Sequence, residues 1–195
     1  MGKKLMFMVL IIAFTFSNFD ALAQKTTVWL VRHAEKATVN ATDRDPQLSD
    51  LGTLRATDLA NALKRKKINT IYSTNYKRTL ATAAPLANLL KLSPVVYDAQ
   101  DLTAIATKAV KENKGKAALI VGHSNTLIPV IKALNCEVPF NELADDDYDM
   151  LFKVVIDDTG KGKLKITHYG SSHHSTQKTP TALQNNKPGM RIPMM

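Results

Sequence analysis

Two histidines and two arginines of the 195-residue chain stand close behind short apolar runs. Arg32-His33 follows TTVWLV, and Gly122-His123-Ser124 follows AALIV in the same way. Arg78 stands a few residues after NTIYST. Two guanidinium forks beside two imidazoles suit a phosphate dianion, whose oxygens they match in bidentate geometry. A histidine can attack phosphorus and hold it covalently, which divides one hard displacement into two easier ones. Phosphoryl transfer asks mainly for positioning and charge stabilisation, and a cationic pocket supplies both. No cofactor is therefore expected, and no metal. A lone histidine or arginine after a strand would be ordinary. Four such groups at three junctions are not.

The elements that must position these groups follow from pattern. Residues 26–31 (TTVWLV) are apolar and β-branched and predict a buried strand. Residues 37–47 are polar, with a turn at Asp45-Pro46. Ser49 suits a helix N-cap, and Leu51, Leu54, Leu59, Ala62 and Leu63 recur at helical spacing behind it. Basic residues 64–67 then favour the helix C-terminus. Strand is predicted at 69–74 and helix at 76–90, kinked or split at Pro85. A short strand at 94–97, a helix at 102–110, a buried strand at 117–121 and a helix at 126–134 follow. Residues 150–156 and 164–168 read as a hairpin joined by DTGKG. Strands alternating with helices imply an α/β domain, its mainly parallel sheet covered on both faces. Such sheets bind ligands beyond the carboxyl ends of their strands, where the two arginines and two histidines gather.

Composition bounds the rest. With 45% hydrophobic and 22% charged residues, the chain can bury a core, which excludes whole-chain disorder. One cysteine, Cys136, excludes an intramolecular disulfide and any Cys-rich zinc module, and its apolar surroundings read as packing. Residues 1–23 have the parts of a secretory signal: Lys3 and Lys4, a twelve-residue apolar run, and Ala21-Leu22-Ala23 for cleavage. An exported domain over 24–169, periplasmic or secreted, is expected, with a polar and flexible tail over 170–195. No other stretch is apolar enough to span a membrane, so no stable insertion is expected after cleavage. A formal charge of +9 and the Lys-rich runs favour anionic surfaces. No nucleic-acid module accompanies them, and no nucleic-acid partner is expected.

Four blocks, in order, resemble the histidine phosphatase superfamily. Val31-Arg32-His33-Ala34-Glu35-Lys36 is similar to its R-H-G/A signature. Leu48-Ser49-Asp50-Leu51-Gly52, with Arg55-Ala56, resembles the segment that follows. Ser73-Thr74-Asn75-Tyr76-Lys77-Arg78-Thr79, with Thr82-Ala83, resembles the S-x-x-x-R-T-x-x-T-A block, and Val121-Gly122-His123-Ser124 the V-G-H block. The resemblance implies a phosphoglycerate mutase-like fold, a three-layer α/β/α sandwich. It implies His33 as the phosphorylated nucleophile, with Arg32, Arg78 and His123 binding the phosphoryl group. It also implies an acid between the second arginine and the second histidine, for which Asp98 and Asp101 are the candidates. Loop carboxylates at such places also serve as caps of the next helix. Glu35 either bonds the nucleophile or a pocket arginine, or only caps structure.

Ala34 replaces the commoner Gly, and Lys36 stands where many mutases carry Ser. The acid phosphatase and phytase branch is excluded, because Ser124 follows His123 where that branch has Asp. His33-Ala34-Glu35 also fits the H-x-E of zinc deaminases, but their P-C-x-x-C is missing. His173-His174 read as solvated tail residues rather than metal ligands. The expected activity is hydrolysis of small phosphomonoesters. A mutase-type phosphoryl transferase and a non-catalytic binder of phosphorylated ligands are the alternatives. The substrate and the oligomeric state are not legible in the sequence.

Overall fold

The structure, a computed structural model, describes residues 25–38 and 42–174. The expected export signal and all but the first residues of the expected tail lie outside them. Strand β1 (Thr26–Arg32) leads to helix α1 (Asp50–Leu63), strand β2 (Ile68–Ser73) and helix α2 (Lys77–Leu90). The short β3 (Val95–Val96), α3 (Leu102–Glu112), β4 (Ala117–Gly122) and α4 (Ser124–Ala133) follow. The hairpin of β5 (Met150–Ile156) and β6 (Gly162–His168) closes the sheet. Its order is β3-β2-β4-β1-β5-β6. β1, β2, β3 and β4 are parallel, and β5 and β6 add antiparallel.

Alternation along β1 divides the core. Val28 and Leu30 face a cluster with Ile105, Ala109, Leu127 and Ile131 of α3 and α4. Trp29 and Val31 face the opposite cluster, with Leu59, Leu63, Ala83 and Leu86 of α1 and α2. The sheet is thus buried on both faces, giving the expected three-layer α/β/α sandwich. Cys136 is buried in the first cluster, as a small hydrophobe.

Three local expectations need correction. Leu51 and Leu54 are exposed (45% and 64%), and α1 instead buries Gly52, Arg55, Ala56, Leu59, Ala60 and Leu63. The first turn of α1 lies against the Glu35 backbone. A Cβ at Gly52 would meet the Glu35 carbonyl oxygen at 2.1 Å, so only glycine lets the helix approach. Next, α2 is not split at Pro85 but runs on to Leu90, with Ala83, Leu86 and Ala87 buried around it. That packing outweighs the one backbone bond the proline removes. Finally, α4 begins at Ser124, two residues earlier than the pattern predicted, so His123 is its N-cap.

Candidate active site

Register brings the histidines together. In the parallel β1–β4 pair Arg32 lies opposite Gly122, and the His33 amide donates to the Gly122 carbonyl at 2.9 Å. In the β2–β4 pair Ser73 lies opposite Val121. The residues leaving β1, β4 and β2 at one end of the sheet are therefore His33, His123 and Thr74. The two imidazole centroids are 5.4 Å apart. His33, His123, Arg32 and Arg78 line one cavity of about 670 Å³, together with Lys36, Asp43, Arg44, Tyr76 and Asp145.

Each group is held from outside the cavity. His33 is buried, and its Nδ1 lies 2.8 Å from the Ala34 carbonyl, an acceptor only. Nδ1 therefore carries the proton and donates it, leaving the Nε2 lone pair free. The Ala34 amide donates to Thr82 Oγ1 at 2.9 Å, which pins the turn after His33 to α2. Burial drives the His33 pKa down to about 3, and the charges of Arg32, His123 and Arg78 push the same way against the Ala34 hydrogen bond. His123 falls to about 4, through burial first and then Arg78 and Arg32. Both rings are neutral at physiological pH. His123 Nε2 lies 2.9 Å from Thr74 Oγ1, whose own proton goes to Thr79 Oγ1 at 3.0 Å. That leaves Thr74 Oγ1 to accept from His123 Nε2–H.

Arg32 lies 4.1 Å over the Tyr148 ring, and its Nη1 donates to the carbonyls of Ala144 and Asp145 at 3.0 and 2.9 Å. Its buried Nε finds no acceptor among the described residues. A buried, unmet donor on the residue before His33 suits an anionic ligand. Arg78 lies 4.4 Å over the Tyr76 ring, with Nη1 3.5 Å from Asp45 Oδ1. The same Asp45 oxygen accepts from the Lys77 amide at the start of α2, which fastens the loop before α1 beside Arg78. The site also faces the N-terminus of α4, where backbone donors and the helix dipole favour an anion.

The candidate acids are placed differently. Asp98 accepts from the Gln100 amide, and Asp101 is the N-cap of α3, accepting from Ala104 at 2.8 Å. Both are exposed, and neither lines the cavity, although Ala99 and Gln100 between them do. A short loop carboxylate spends itself on the nearest free amides. The carboxylates that do line the cavity are Asp43 and Asp145.

Glu35 bonds neither His33 nor an arginine of the cavity lining. It turns away from the cavity lining and takes Arg55 Nε on both oxygens, at 2.8 and 2.9 Å. His173 Nδ1 lies 2.7 Å from the same carboxylate, and Arg55 Nη1 donates to the Tyr169 carbonyl. Burial alone would raise the Glu35 pKa, but the hydrogen bonds from His173, its own backbone and Arg55 hold it below the usual range. His173 and His174 are thus bonded to the domain rather than solvated: His174 Nδ1 lies 2.6 Å from Asp149 Oδ2. Pattern reading gave no role to Arg55, Thr74, Thr82 and Tyr148, and it left His173 to solvent. Arg55, Thr74 and Thr82 do sit inside the recognised blocks, so a signal existed for them. Tyr148 and His173 left none.

The model of the histidine phosphatase superfamily (branch 1) matches residues 28–100, from β1 to the loop after β3. No curated protein matches the chain. Among solved structures, the protein histidine phosphatase SixA, complexed with tungstate, is similar over 73% of this chain and 96% of its own, at 21% identity and a TM-score of 0.59. A mycobacterial glucosyl-3-phosphoglycerate phosphatase covers 76% of this chain and 100% of its own, at 13% identity and a TM-score of 0.60. YhfR from Bacillus stearothermophilus covers 75% and 98%, at 19% identity and a TM-score of 0.58. These likenesses carry the fold, and the sequence match spans Arg32, His33 and Arg78. Together they give a phosphoglycerate mutase-like α/β fold in which residues 28–100 match the model of the histidine phosphatase superfamily, branch 1.

Proposed function

We propose that the chain is an exported phosphomonoesterase that works through a phosphohistidine on His33. The observation that carries this reading is the state of His33. It is buried, neutral and fixed with Nδ1–H on the Ala34 carbonyl, and it lies in a cavity with Arg32, Arg78 and His123. In the proposed reaction Arg32 and Arg78 hold the non-bridging oxygens of the phosphoryl group, and His123, whose neutral ring spends its Nε2–H on Thr74, joins them by taking up a proton when the dianion binds. Nε2 of His33 attacks phosphorus, the N–P bond forms and the P–O bond to the leaving group breaks. The leaving oxygen takes a proton from water or from a cavity carboxylate, of which Asp43 and Asp145 are the ones in place. Water then attacks phosphorus from the side the leaving group vacated and gives a proton back to the group that protonated the leaving oxygen; the N–P bond breaks, and inorganic phosphate leaves with His33 restored. The cationic groups act where charge spreads in transfer, so positioning and electrostatics supply the catalysis.

Rapid quench with a labelled phosphomonoester tests this. An acid-labile, base-stable phosphoenzyme should map to the peptide holding His33 and be absent from His33→Ala. Label on His123, or full activity in His33→Ala, would overturn the assignment.

Action outside the cytoplasm is part of the proposal, supported by the basic start, apolar run and A-x-A of residues 1–23. Sequencing the N-terminus of protein from its native host should find a start near Gln24. An intact Met1 on cytosolic protein refutes it. Among the described residues no helix is long and apolar enough to cross a membrane.

A further inference from the structure

Outside the cavity, metal-ligating groups among the described residues gather around Asp149. This carboxylate precedes β5 and is 1% exposed. His168 ends β6 and places Nδ1 3.0 Å from Asp149 Oδ1. His174, six residues on, places Nδ1 2.6 Å from Oδ2. The two rings lie tilted together with centroids 4.5 Å apart. One donor atom from each of the three lies within 4.8 Å of the others. None of the three lines the phosphate cavity.

We propose that Asp149, His168 and His174 bind a divalent cation of the zinc class and thereby fasten residues 168–174 to the sheet. Two imidazoles and one carboxylate form a nitrogen-rich set suited to zinc and its neighbours, whereas magnesium and calcium favour oxygen ligands. The buried carboxylate is oriented in advance, since the His173 amide donates to Oδ2 at 3.1 Å. Half-exposed His168 and partly exposed His174 leave a path for the ion from solvent. On binding, the cation takes the place of the Nδ1 protons between the imidazoles and the carboxylate, and each ring carries its proton on Nε2 instead. The ion does no chemistry on phosphate. Its effect reaches the nucleophile through structure, because the fastened segment carries His173, which bonds Glu35 two residues from His33. The fold does the choosing here: Asp149 and His174 are 25 positions apart in sequence.

The test is calorimetric titration of tag-free, chelator-stripped protein with Zn²⁺, with melting measured alongside. One Zn²⁺ should bind per chain outside the phosphate cavity, with a rise in Tm. His168→Ala and His174→Ala should each weaken that binding by about tenfold or more, a loss at least as large as that of an outer partner. Both histidines are partly exposed, so these variants should keep the wild-type circular dichroism. A His33→Ala/His123→Ala variant removes the competing imidazoles of the cavity and should still bind one ion. The proposal is overturned by failure of the wild type to bind. It is equally overturned by undiminished binding in a His168→Ala/His174→Ala variant, or by loss of all binding in the cavity variant. The phosphoenzyme experiment on His33 is independent of every one of these results.

Discussion

Replacing Arg55 by Met should uncouple the support beneath His33 from His33 itself. Arg55 and Glu35 have side chains 1% and 7% exposed, so the ion pair is buried on both sides. Arg55→Met fills a similar volume but removes the Nε contacts to both Glu35 oxygens and the Nη1 bond to the Tyr169 carbonyl. Glu35 keeps His173 as its remaining side-chain partner. Breaking one side of a buried pair costs about 3–5 kcal/mol, because a charge is left behind without its partner. At about 2–4 °C per kcal/mol for a domain of this size, Tm should fall by roughly 6–20 °C. The Glu35 carbonyl also accepts the Ser49 amide at 2.9 Å, so a shift of Glu35 disturbs both the turn after His33 and the cap of α1. Turnover of an aryl phosphate, measured well below the lowered Tm, should therefore fall as well. The Glu35→Gln/Arg55→Met double variant removes the stranded charge and should be more stable than Arg55→Met alone. Calorimetry on the four-protein cycle reads the coupling directly. A single-variant loss under about 1 kcal/mol, or a double variant whose loss is the sum of the singles, would refute the reasoning.

Thr82→Val keeps the shape of the side chain but leaves the Ala34 amide without its acceptor, so it should cost about 1–3 kcal/mol of stability in denaturant melts. Arg78→Ala should slow aryl phosphate turnover by roughly ten- to a hundredfold or more, taking about 1.5–3 kcal/mol per charged hydrogen bond and 1.36 per decade. With His33 held near 3 and His123 near 4, against an ordinary 6.5, the unfolded chain takes up protons that the native one refuses. Stability should thus decline as pH falls from about 6.5 towards 3, with a gentler slope of Tm against pH in His33→Gln. Asp101→Ala should lose about 1 kcal/mol as a broken N-cap while the ratio of alkyl to aryl phosphate turnover stays constant, and a collapse of that ratio would restore it as the acid.

What the sequence disclosed follows from where each residue lies along the chain. His33, Arg32 and His123 stand directly behind apolar β-branched runs, and a parallel sheet collects such positions at one end. Their meeting needed only the strand pattern. The layers were legible for the same reason, since four βα alternations admit few arrangements. The proton donor was not legible, because a carboxylate near a helix start looks the same whether it caps or catalyses. Asp101 takes the Ala104 amide, while Asp43 and Asp145 reach the cavity from loops without any pattern. Arg55 was hidden more deeply. It lies three residues after Gly52 and four before Leu59, in the slot on α1 where an apolar residue belongs. Read by periodicity, that slot marks a defect in the apolar stripe, and exposed Leu51 and Leu54 seem to repair it. Its meaning depends on Glu35, 20 positions earlier, and on His173, 138 positions beyond Glu35. A buried charge is stable only with its partners, and partners that distant are joined by the fold rather than by spacing. The same holds for Asp149, whose histidines come from the end of β6 and the segment past it. The chemistry at the carboxyl ends of the strands is therefore written locally. The buttress beneath His33 is written across nearly the whole described chain.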